Sequence, residues 1–380
     1  MEGALKGIHF TYMKGEIYMV RIPNNVVMFA NGKLDLYEAW SDYFNHYRAI
    51  TFKANVDYDN SISFEEKTKR LHNAIEERIA EIAGVNNTSF SDAVWRTNPN
   101  YRWATFAVIG SMIDMVIPDV VANDFMQFAE VRNGGFGDNF VFDIASSDLF
   151  IVTKSANGKR HTVAQRQFNG QTVLIPEPRM VTVEEDLYRI LCGKRNLAEY
   201  AMKCALAMEK ELSIDVYKAI NDTYATLPAN FKEASFTEEG FVKLAQRVQA
   251  ANGGARCVVF GTKLALSKIL PANDYLKVQL GEVYNRMGYL STFMGVDLFE
   301  IPQKIDDTAG DYSFALEDDK LYFISTGVQK LVKIGFEGET ITITDGQYAN
   351  ANLTQATTLI KRWGVGIATN AKYGIMDVVA

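Results

Sequence analysis

Residues 137–175 read GDNFVFDIASSDLFIVTKSANGKRHTVAQRQFNGQTVLI. The runs Phe140–Ile144 and Leu149–Thr153 are rich in aromatic and β-branched residues, a composition typical of β-strands. The pair Asn157-Gly158 follows, and it provides the positive φ angles that a tight hairpin turn requires. A more polar run over Lys159–Phe168 then returns in the opposite direction. The stretch therefore predicts a long two-stranded β-ribbon.

The end of this stretch extends the ribbon, and the length of the ribbon indicates that it needs a supporting surface. A second Asn-Gly pair, Asn169-Gly170, predicts a turn before a final strand segment at Thr172–Ile175. At about 3.4 Å per residue, the two arms would extend several tens of ångströms. An isolated two-stranded hairpin is only marginally stable in water, so we expect the ribbon to pack on another surface.

The first 130 residues or so are mainly helical in pattern. Leu34–Tyr47 is rich in aromatic residues, and Phe64–Ala83 repeats apolar residues at helical intervals, with Gly84 placed to end the helix. A third helix is predicted over Tyr101–Val116, ended by Pro118.

One long helix is predicted after the ribbon, from Asn196 to about Tyr224. Asn196 can serve as its N-cap, and Glu199 and Lys203 form a favourable i,i+4 pair. Its apolar stripe contains Leu197, Ala201, Cys204, Met208, Leu212, Val216 and Ala219.

The rest of the chain alternates between helices and strands. Helices are predicted at Thr237–Ala251 and Thr262–Leu270. The predicted strands are Cys257–Phe260, Val296–Ile301, Lys320–Ser325, Leu331–Phe336, Thr340–Thr344, Thr357–Thr369 and Lys372–Val379. The pattern as a whole predicts an α+β fold.

Composition limits the classes of function. The chain has 380 residues, 48% hydrophobic and 22% charged, which is ordinary for globular protein. Its formal net charge of −7 argues against a protein that works by gripping phosphate backbones. No apolar run approaches the roughly 20 residues of a membrane span. Met1–Lys6 lacks the pattern of a signal peptide. We therefore expect a cytoplasmic protein with no membrane contact.

Cysteine and histidine, which often act in catalysis or metal binding, are scattered along the chain. The three cysteines are widely spaced, indicate neither a disulfide framework nor a zinc site, and are predicted to be small buried apolar groups: Cys192, Cys204 and Cys257. The four histidines lack a metal-type partner three or four residues away: His9, His46, His72 and His161. We therefore expect no catalytic, cofactor or metal site, and no enzyme.

Three short motifs have a functional and a structural interpretation. Gly134–Asp138 has the composition of a phosphate loop, but a turn before the ribbon is favoured. Trp363–Gly366 contains Gly-x-Gly within a strand pattern, without the helix that dinucleotide binding needs. Glu184–Asp186 could hold a cation, although a solvated acidic turn is favoured.

The order of these elements resembles the major capsid proteins of tailed bacteriophages, with their Hong-Kong-97-type capsid fold. Local sequence over Val116–Ala380 resembles them too. The segments that carry the resemblance are Gly137-Asp138-Asn139-Phe140-Val141-Phe142, Ala156-Asn157-Gly158, Leu191-Cys192-Gly193-Lys194, Tyr322-Phe323-Ile324-Ser325-Thr326-Gly327, Trp363-Gly364-Val365-Gly366 and Asn370-Ala371-Lys372-Tyr373-Gly374.

The resemblance implies a domain organisation. It assigns 1–133 to a helical N-terminal region and arm, 134–183 to the extended β-ribbon loop, and 184–235 to the spine helix of a peripheral domain. It assigns 236–327 to an axial α/β domain and 328–380 to closing strands of the two domains. Residues 1–115 depart from the minimal pattern of the family. They are either a cleaved scaffolding segment or an elaborated arm that is retained, and retention is favoured.

The resemblance also implies function: a structural subunit that self-assembles, as hexamers and pentamers, into the shell enclosing double-stranded DNA. Shells would form in the host cytoplasm and belong to the virion, with portal, scaffolding or decoration proteins as further partners. The residues expected to make inter-subunit contacts are Lys154, Asn157, Gly158, Lys159, Arg160 and Arg166. The spine helix would be represented by Leu197, Ala201, Met208 and Leu212.

Two alternatives remain open at this point. One is an encapsulin-like nanocompartment shell protein, which would share the fold. The other is a cytosolic α/β enzyme built on the strand-helix unit at Cys257–Leu270. Particles of shell size would exclude the enzyme, whereas a deep pocket lined by groups of shifted pKa would favour it.

Overall fold

The computed structural model describes residues 8–13, 16–21, 35–52, 56–85, 98–125, 128–144, 170–186, 197–271, 273, 284–306, 312–326, 329–344, 354–368 and 371–378. Its helices are α1 (Asp35–Phe52), α2 (Phe64–Ala83), α3 (Pro99–Phe125), α4 (Leu197–Asp222), α5 (Glu238–Ala251) and α6 (Lys263–Ser267). Short 3₁₀ turns occupy Thr223–Ala225 and Ala229–Phe231.

The strands in the described ranges belong to four sheets. They are β1 (Ile8–Met13), β2 (Glu16–Arg21), β3 (Ala129–Gly134), β4 (Phe140–Ile144), β5 (Gly170–Leu174), β6 (Glu177–Asp186), β7 (Lys232–Glu233), β8 (Cys257–Thr262), β9 (Thr292–Phe293), β10 (Val296–Ile301), β11 (Lys320–Ser325), β12 (Val332–Thr344), β13 (Thr354–Ile367) and β14 (Gly374–Asp377). Helices and sheets occur together, which confirms the α+β class.

Helix α2 has the bounds that the sequence predicts, and its caps explain why. The side chain of Ser63 accepts a hydrogen bond from the backbone N–H of Glu66. Gly84 has φ 69°, a left-handed conformation that glycine adopts without steric cost, and its N–H bonds to the last turn.

The N-terminal region contains strands beside its predicted helices, and the predicted end of one helix is wrong. Strands β1 and β2 form an antiparallel hairpin in a region expected to be helical. β3 adds a third strand at the end of the same region. Helix α3 continues through Pro118 instead of ending there. Proline removes one hydrogen bond, to the carbonyl of Asp114, and the deep burial of α3 offsets that loss.

A four-stranded sheet with the order β3-β12-β13-β6 forms the centre of the fold. β12 is parallel to β3 and antiparallel to β13, and β13 is antiparallel to β6. Helices α3 and α4 pack on one face of this sheet, and α1 and α2 pack on these two helices, so that all four share one core. Within that core the indole N–H of Trp40 donates to the carbonyl of Met112, at 3.0 Å, and so joins α1 to α3.

A six-stranded sheet with the order β7-β14-β11-β8-β10-β9 lies between two cores. Because side chains alternate along a strand, Val258 and Phe260 face the core of α1–α4. Cys257 and Val259 face the opposite way, into a second core with α5 and α6. Within the described residues, the helices are too short or too polar to cross a membrane.

Candidate assembly surface

The four-stranded sheet has an outer face, opposite α1–α4, that divides into two halves. The register places side chains from adjacent strands in rows across this face. The covered half contains Glu130, Arg132, Gly134, Lys333, Gly335, Glu337, Arg362, Gly364 and Gly366. The bare half contains Met180, Thr182, Ile341, Ile343, Thr358 and Ile360.

The base of the ribbon lies on the covered half. β4 pairs with β5 in antiparallel register from Phe140↔Leu174 to Ile144↔Gly170, which confirms the ribbon at its base. Gly170 is a paired strand residue, so the turn predicted at Asn169-Gly170 is wrong at that residue. The rest of the ribbon, 145–169, lies outside the described residues.

Four glycines allow the ribbon base to approach the sheet closely, and we call them the glycine seat: Gly134, Gly335, Gly364 and Gly366. A Cβ atom at Gly335 would lie 2.9 Å from the ring of Phe140, and one at Gly366 would lie 2.9 Å from Leu174. A Cβ at Gly364 would lie 3.0 Å from both Leu174 Cγ and the carbonyl oxygen of Ile175. At Gly364 the contact is with the backbone of Ile175, so a larger residue there would have to displace the ribbon base, whereas at Gly366 the end of the Leu174 side chain would have to turn away.

Charged side chains surround Phe142, a fully buried ribbon residue. The guanidinium carbon of Arg132 lies 4.3 Å from the ring centroid of Phe142, and the same side chain donates to the carbonyl of Val141 at 2.7 Å. The ammonium group of Lys333 donates to Glu130 at 2.5 Å. Burial would raise the pKa of Glu130, but hydrogen bonds from Lys333 and Arg132 outweigh it and lower that pKa.

Glu337 and Arg362 hold both ends of the ribbon base, and we call this pair the clamp. Glu337 accepts a hydrogen bond from the backbone N–H of Gly137 at 2.9 Å, before β4. Arg362 donates to Glu337 at 2.6 Å and to the carbonyl of Pro176, after β5, at 3.1 Å. The bond from Gly137 and then the bond from Arg362 lower the pKa of the Glu337 carboxyl.

A β-bulge separates the two halves, between Glu337 and Ile341 of β12. Asp114 of α3 reaches it from the core side, where its carboxylate binds Lys361 Nζ at 2.5 Å and the N–H of Thr340 at 2.8 Å. Lys361 also donates to the carbonyl of Gly338 at 3.0 Å. Asp114 and Lys361 are both buried, so this network fixes α3 to the bulge.

The six residues that define the bare half are apolar residues and threonines, and none of the six is charged. Met180 is 64% exposed, Ile343 54% and Ile341 43%. The hydroxyls of Thr182 and Thr358 lie 2.9 Å apart and complete the surface. Ile175, which follows β5 and lies over Gly364 of the covered half, is 78% exposed.

The residues predicted for inter-subunit contact lie outside the described residues: Lys154, Asn157, Gly158, Lys159, Arg160 and Arg166. In α4, the side chains of Ala201, Met208 and Leu212 are buried in the core that α1–α4 share. The side chain of Leu197 lies outside the part of the chain that the structure describes. The predicted pair of Glu199 and Lys203 is confirmed, at 2.8 Å.

Other predicted residues have mixed outcomes. Cys204 and Cys257 are buried as predicted, and burial raises the pKa of the Cys257 thiol to about 12. Cys192 lies outside the described residues. The turn predicted at Gly134–Asp138 is confirmed, with Gly137 at φ 82°. Glu184–Asp186 is part of β6, paired with Thr354–Ala356, so the predicted acidic turn is wrong.

The outer face itself was missed by the sequence analysis, although a signal was present. Gly335, Gly364 and Gly366 stand inside strand patterns, and glycine in a strand often marks close approach of another backbone. Over the described part of the chain, no group of three or more His, Cys, Asp or Glu side chains is arranged to hold a metal ion.

Comparison with solved structures finds phage capsids at low similarity. The head structure of Helicobacter pylori bacteriophage KHP40 is 11% identical, covers 67% of this chain and 90% of its own, and gives a TM-score of 0.45. The structure from Mycobacterium phage Bobi is 13% identical, covers 67% of this chain and 90% of its own, and gives a TM-score of 0.44. The mature capsid of bacteriophage PhiM1 is 11% identical, covers 67% of this chain and 86% of its own, and gives a TM-score of 0.42. At these TM-scores, the family assignment depends on sequence.

Sequence comparison gives the assignment. No curated protein matches the chain. One family model matches residues 48–377, which is most of the chain, and its description is "SPbeta prophage-derived putative capsid protein YonB". The chain belongs to this family of prophage-derived capsid proteins.

Proposed function

We propose that this chain is a major capsid protein, a structural subunit that assembles with copies of itself into an icosahedral shell around phage DNA. Membership of a capsid protein family supports this role. The observation that carries it is the bare half of the outer face, which is apolar, uncharged and exposed. Monomeric soluble proteins rarely expose large contiguous apolar patches, so we expect another subunit to cover it.

The charge of the ribbon supports the same proposal. Residues 149–176 contain Lys154, Lys159, Arg160 and Arg166 but no Asp or Glu, whereas the whole chain has a formal charge of −7. A basic ribbon on an acidic body can attract the next copy, because complementary charges guide association. We propose that the ribbon lies on a neighbouring subunit and contributes to its cover.

The domain boundaries given above remain proposals, with one refinement. Residues 35–125 supply helices α1–α3, whose apolar side chains share a core with α4. Removing these helices by proteolysis would expose that core to water. We propose that this segment is retained in the shell as part of the subunit body, which mass spectrometry of purified particles would test.

The role is structural and needs no catalysis or cofactor. Portal, scaffolding or decoration proteins and packaged double-stranded DNA are the expected further partners. Assembly in the host cytoplasm and a final location in the virion complete the proposal.

The first experiment tests assembly through the bare half. The purified chain should form particles of megadalton mass, seen by sedimentation and negative-stain electron microscopy. Ile343→Asp should abolish them because it places a charge in an apolar contact, whereas the control Ile343→Met should assemble. A compact wild-type monomer at all concentrations and salts would contradict the proposal.

The second experiment tests the ribbon charge. Arg160→Glu combined with Arg166→Glu should leave the circular dichroism of the subunit unchanged but slow assembly sharply in light-scattering kinetics. Raised salt should slow the wild type too, as the screening length falls below about 10 Å. Normal assembly of the double variant at low and high salt would show that the ribbon charge only aids solubility.

A further inference from the structure

We propose that the glycine seat and the clamp set the direction in which the ribbon leaves the subunit, and that this direction controls the curvature of the shell. The first part of this proposal, the direction of the ribbon, is a property of a single subunit. Its consequence for the shell rests on the proposed function.

The first argument is the steric fit. The ribbon base touches the sheet through Phe140 and Leu174, and the surface beneath them has no side chains to yield. Well-packed contacts of this kind resist small displacements, because the atoms on both sides have no room to move. A Cβ at Gly364 would meet the backbone of Ile175 and would have to lift or tilt the ribbon base by a few tenths of an ångström, whereas at Gly335 and Gly366 the side chains of Phe140 and Leu174 would have to shift first.

The second argument is the arrangement of the clamp. Glu337 binds the chain just before β4, and its partner Arg362 binds the chain just after β5. Both ends of the ribbon base are therefore attached to one ion pair on the sheet. Such charge-assisted hydrogen bonds are about twice as strong as neutral ones and are directional. The pair opposes a rotation of the ribbon base about the axis of its own strands.

The third argument is leverage. Between Ile144 and Gly170, the last pair of the ribbon base, 25 residues remain. If they continue as the two arms that the sequence predicts, each arm extends about 40 Å at about 3.4 Å per residue. A tilt of about 5° at the base would then move the tip by about 3.5 Å. A shift of that size is comparable to a full contact distance between subunits.

A purely stabilising role would predict something different. If the glycines only allowed close packing, then an alanine would lower the melting temperature without redirecting the ribbon. The chain offers a matched control in Gly110 of α3, where a Cβ would meet Thr342 at 3.5 Å, an ordinary contact distance. Gly110→Ala should change neither ribbon direction nor shell size.

The experiment measures direction by the distance between two spin labels. Nitroxides are placed at Asn157→Cys, near the predicted tip, and at Lys218→Cys on α4, in a background with the native cysteines replaced. Labelled chains are diluted with unlabelled chains so that only distances within one subunit are measured. The wild type should give one narrow distribution, and Gly364→Ala should shift or broaden it by several ångströms.

Glu337→Gln provides the second variant, since Gly364→Ala could prevent folding. It keeps the size of the side chain, removes its charge and should broaden the same distribution. A broad wild-type distribution would overturn the inference. So would folded Gly364→Ala and Glu337→Gln subunits that match the wild type.

The diameters of the particles provide the readout for the shell. Gly364→Ala should give particles of several sizes or open sheets in electron micrographs, whereas Gly110→Ala should give wild-type particles. Redirected ribbons with unchanged particle diameters would overturn the control of curvature. If the wild type forms no particles at all, the proposed function and the control of curvature both fail. The label distances then still decide whether the seat and clamp set the ribbon direction.

Discussion

The two halves of the outer face share strands β12 and β13 but have opposite chemistry. The covered half combines glycines with paired charges, such as Lys333 with Glu130 and Arg362 with Glu337. The bare half has isoleucine, methionine and threonine. Glycine and paired charge allow a surface to accept one specific partner at close range. Large apolar side chains without charge favour burial by a partner that arrives later.

The largest effect on stability is expected where the halves meet. Asp114→Ala removes the carboxylate that binds Lys361 and Thr340, and leaves a buried ammonium group near the bulge. We expect the free energy of unfolding to fall by about 3–5 kcal/mol, as for other broken buried ion pairs. Urea denaturation followed by circular dichroism would measure the loss.

A double variant is the control for this prediction. Asp114→Leu with Lys361→Met removes both charges and retains apolar volume, so it should recover most of the stability. A loss below about 1 kcal/mol for Asp114→Ala would contradict the claim that the bulge depends on this pair.

The second effect distinguishes a buried side chain of the ribbon base from an exposed one. Phe142→Ala removes a fully buried ring from between the ribbon and the sheet, and should cost about 3 kcal/mol. Val173→Ala changes an exposed residue of β5 and should cost less than about 0.5 kcal/mol. Equal costs for the two variants, measured by urea denaturation, would show that the ribbon base adds nothing to the fold.

Sequence reasoning predicted the elements that local patterns determine. The bounds of α2, β4, β10 and β11 agree with prediction, because caps, turn residues and alternating apolar residues are local signals. The ribbon was predicted for the same reason, from alternation and Asn157-Gly158. Its described base confirms the pairing, and the rest remains a prediction.

Features that depend on distant partners were not predicted. The bulge near Gly338 merges two predicted strands into β12, because Asp114, more than 200 residues away in sequence, satisfies the backbone there. β3 was missed because its partner β12 is equally distant. The seat needs glycines from different strands to face one ribbon. No local pattern contains that information.

The third effect concerns pH and should affect only the covered half. The pKa values of Glu130 and Glu337 lie below the ordinary 4.5 in the folded state. The stability that these carboxylates contribute is therefore complete above pH 4.5, and is lost as the pH falls through the lowered values. None of the six residues that define the bare half is titratable, so these six should not contribute.

Melting temperatures of the wild type and of Glu337→Gln would test this pH effect. At pH 7 the wild type should melt at a higher temperature than Glu337→Gln, and this difference should shrink as the pH falls from 4.5 through the lowered pKa of Glu337, where the folded carboxylate is protonated. Measuring the difference removes contributions from groups that both proteins share. A difference that stays constant down to the acid range would contradict a role for the charge of Glu337.

The smallest effect on the subunit is expected in the bare half. Met180→Ala shortens a side chain that is 64% exposed, so the free energy of unfolding should change by less than about 0.5 kcal/mol. In a shell the same side chain is expected to be buried against a neighbour, where its loss should raise the protein concentration needed for assembly. Light scattering across a concentration series, beside urea denaturation of the unassembled subunit, would measure both quantities. Because each shell contains many copies of this contact, even a small loss per contact should be detectable. If Met180→Ala destabilises the isolated subunit as much as Phe142→Ala does, the bare half is part of the subunit core and the division of the outer face is wrong.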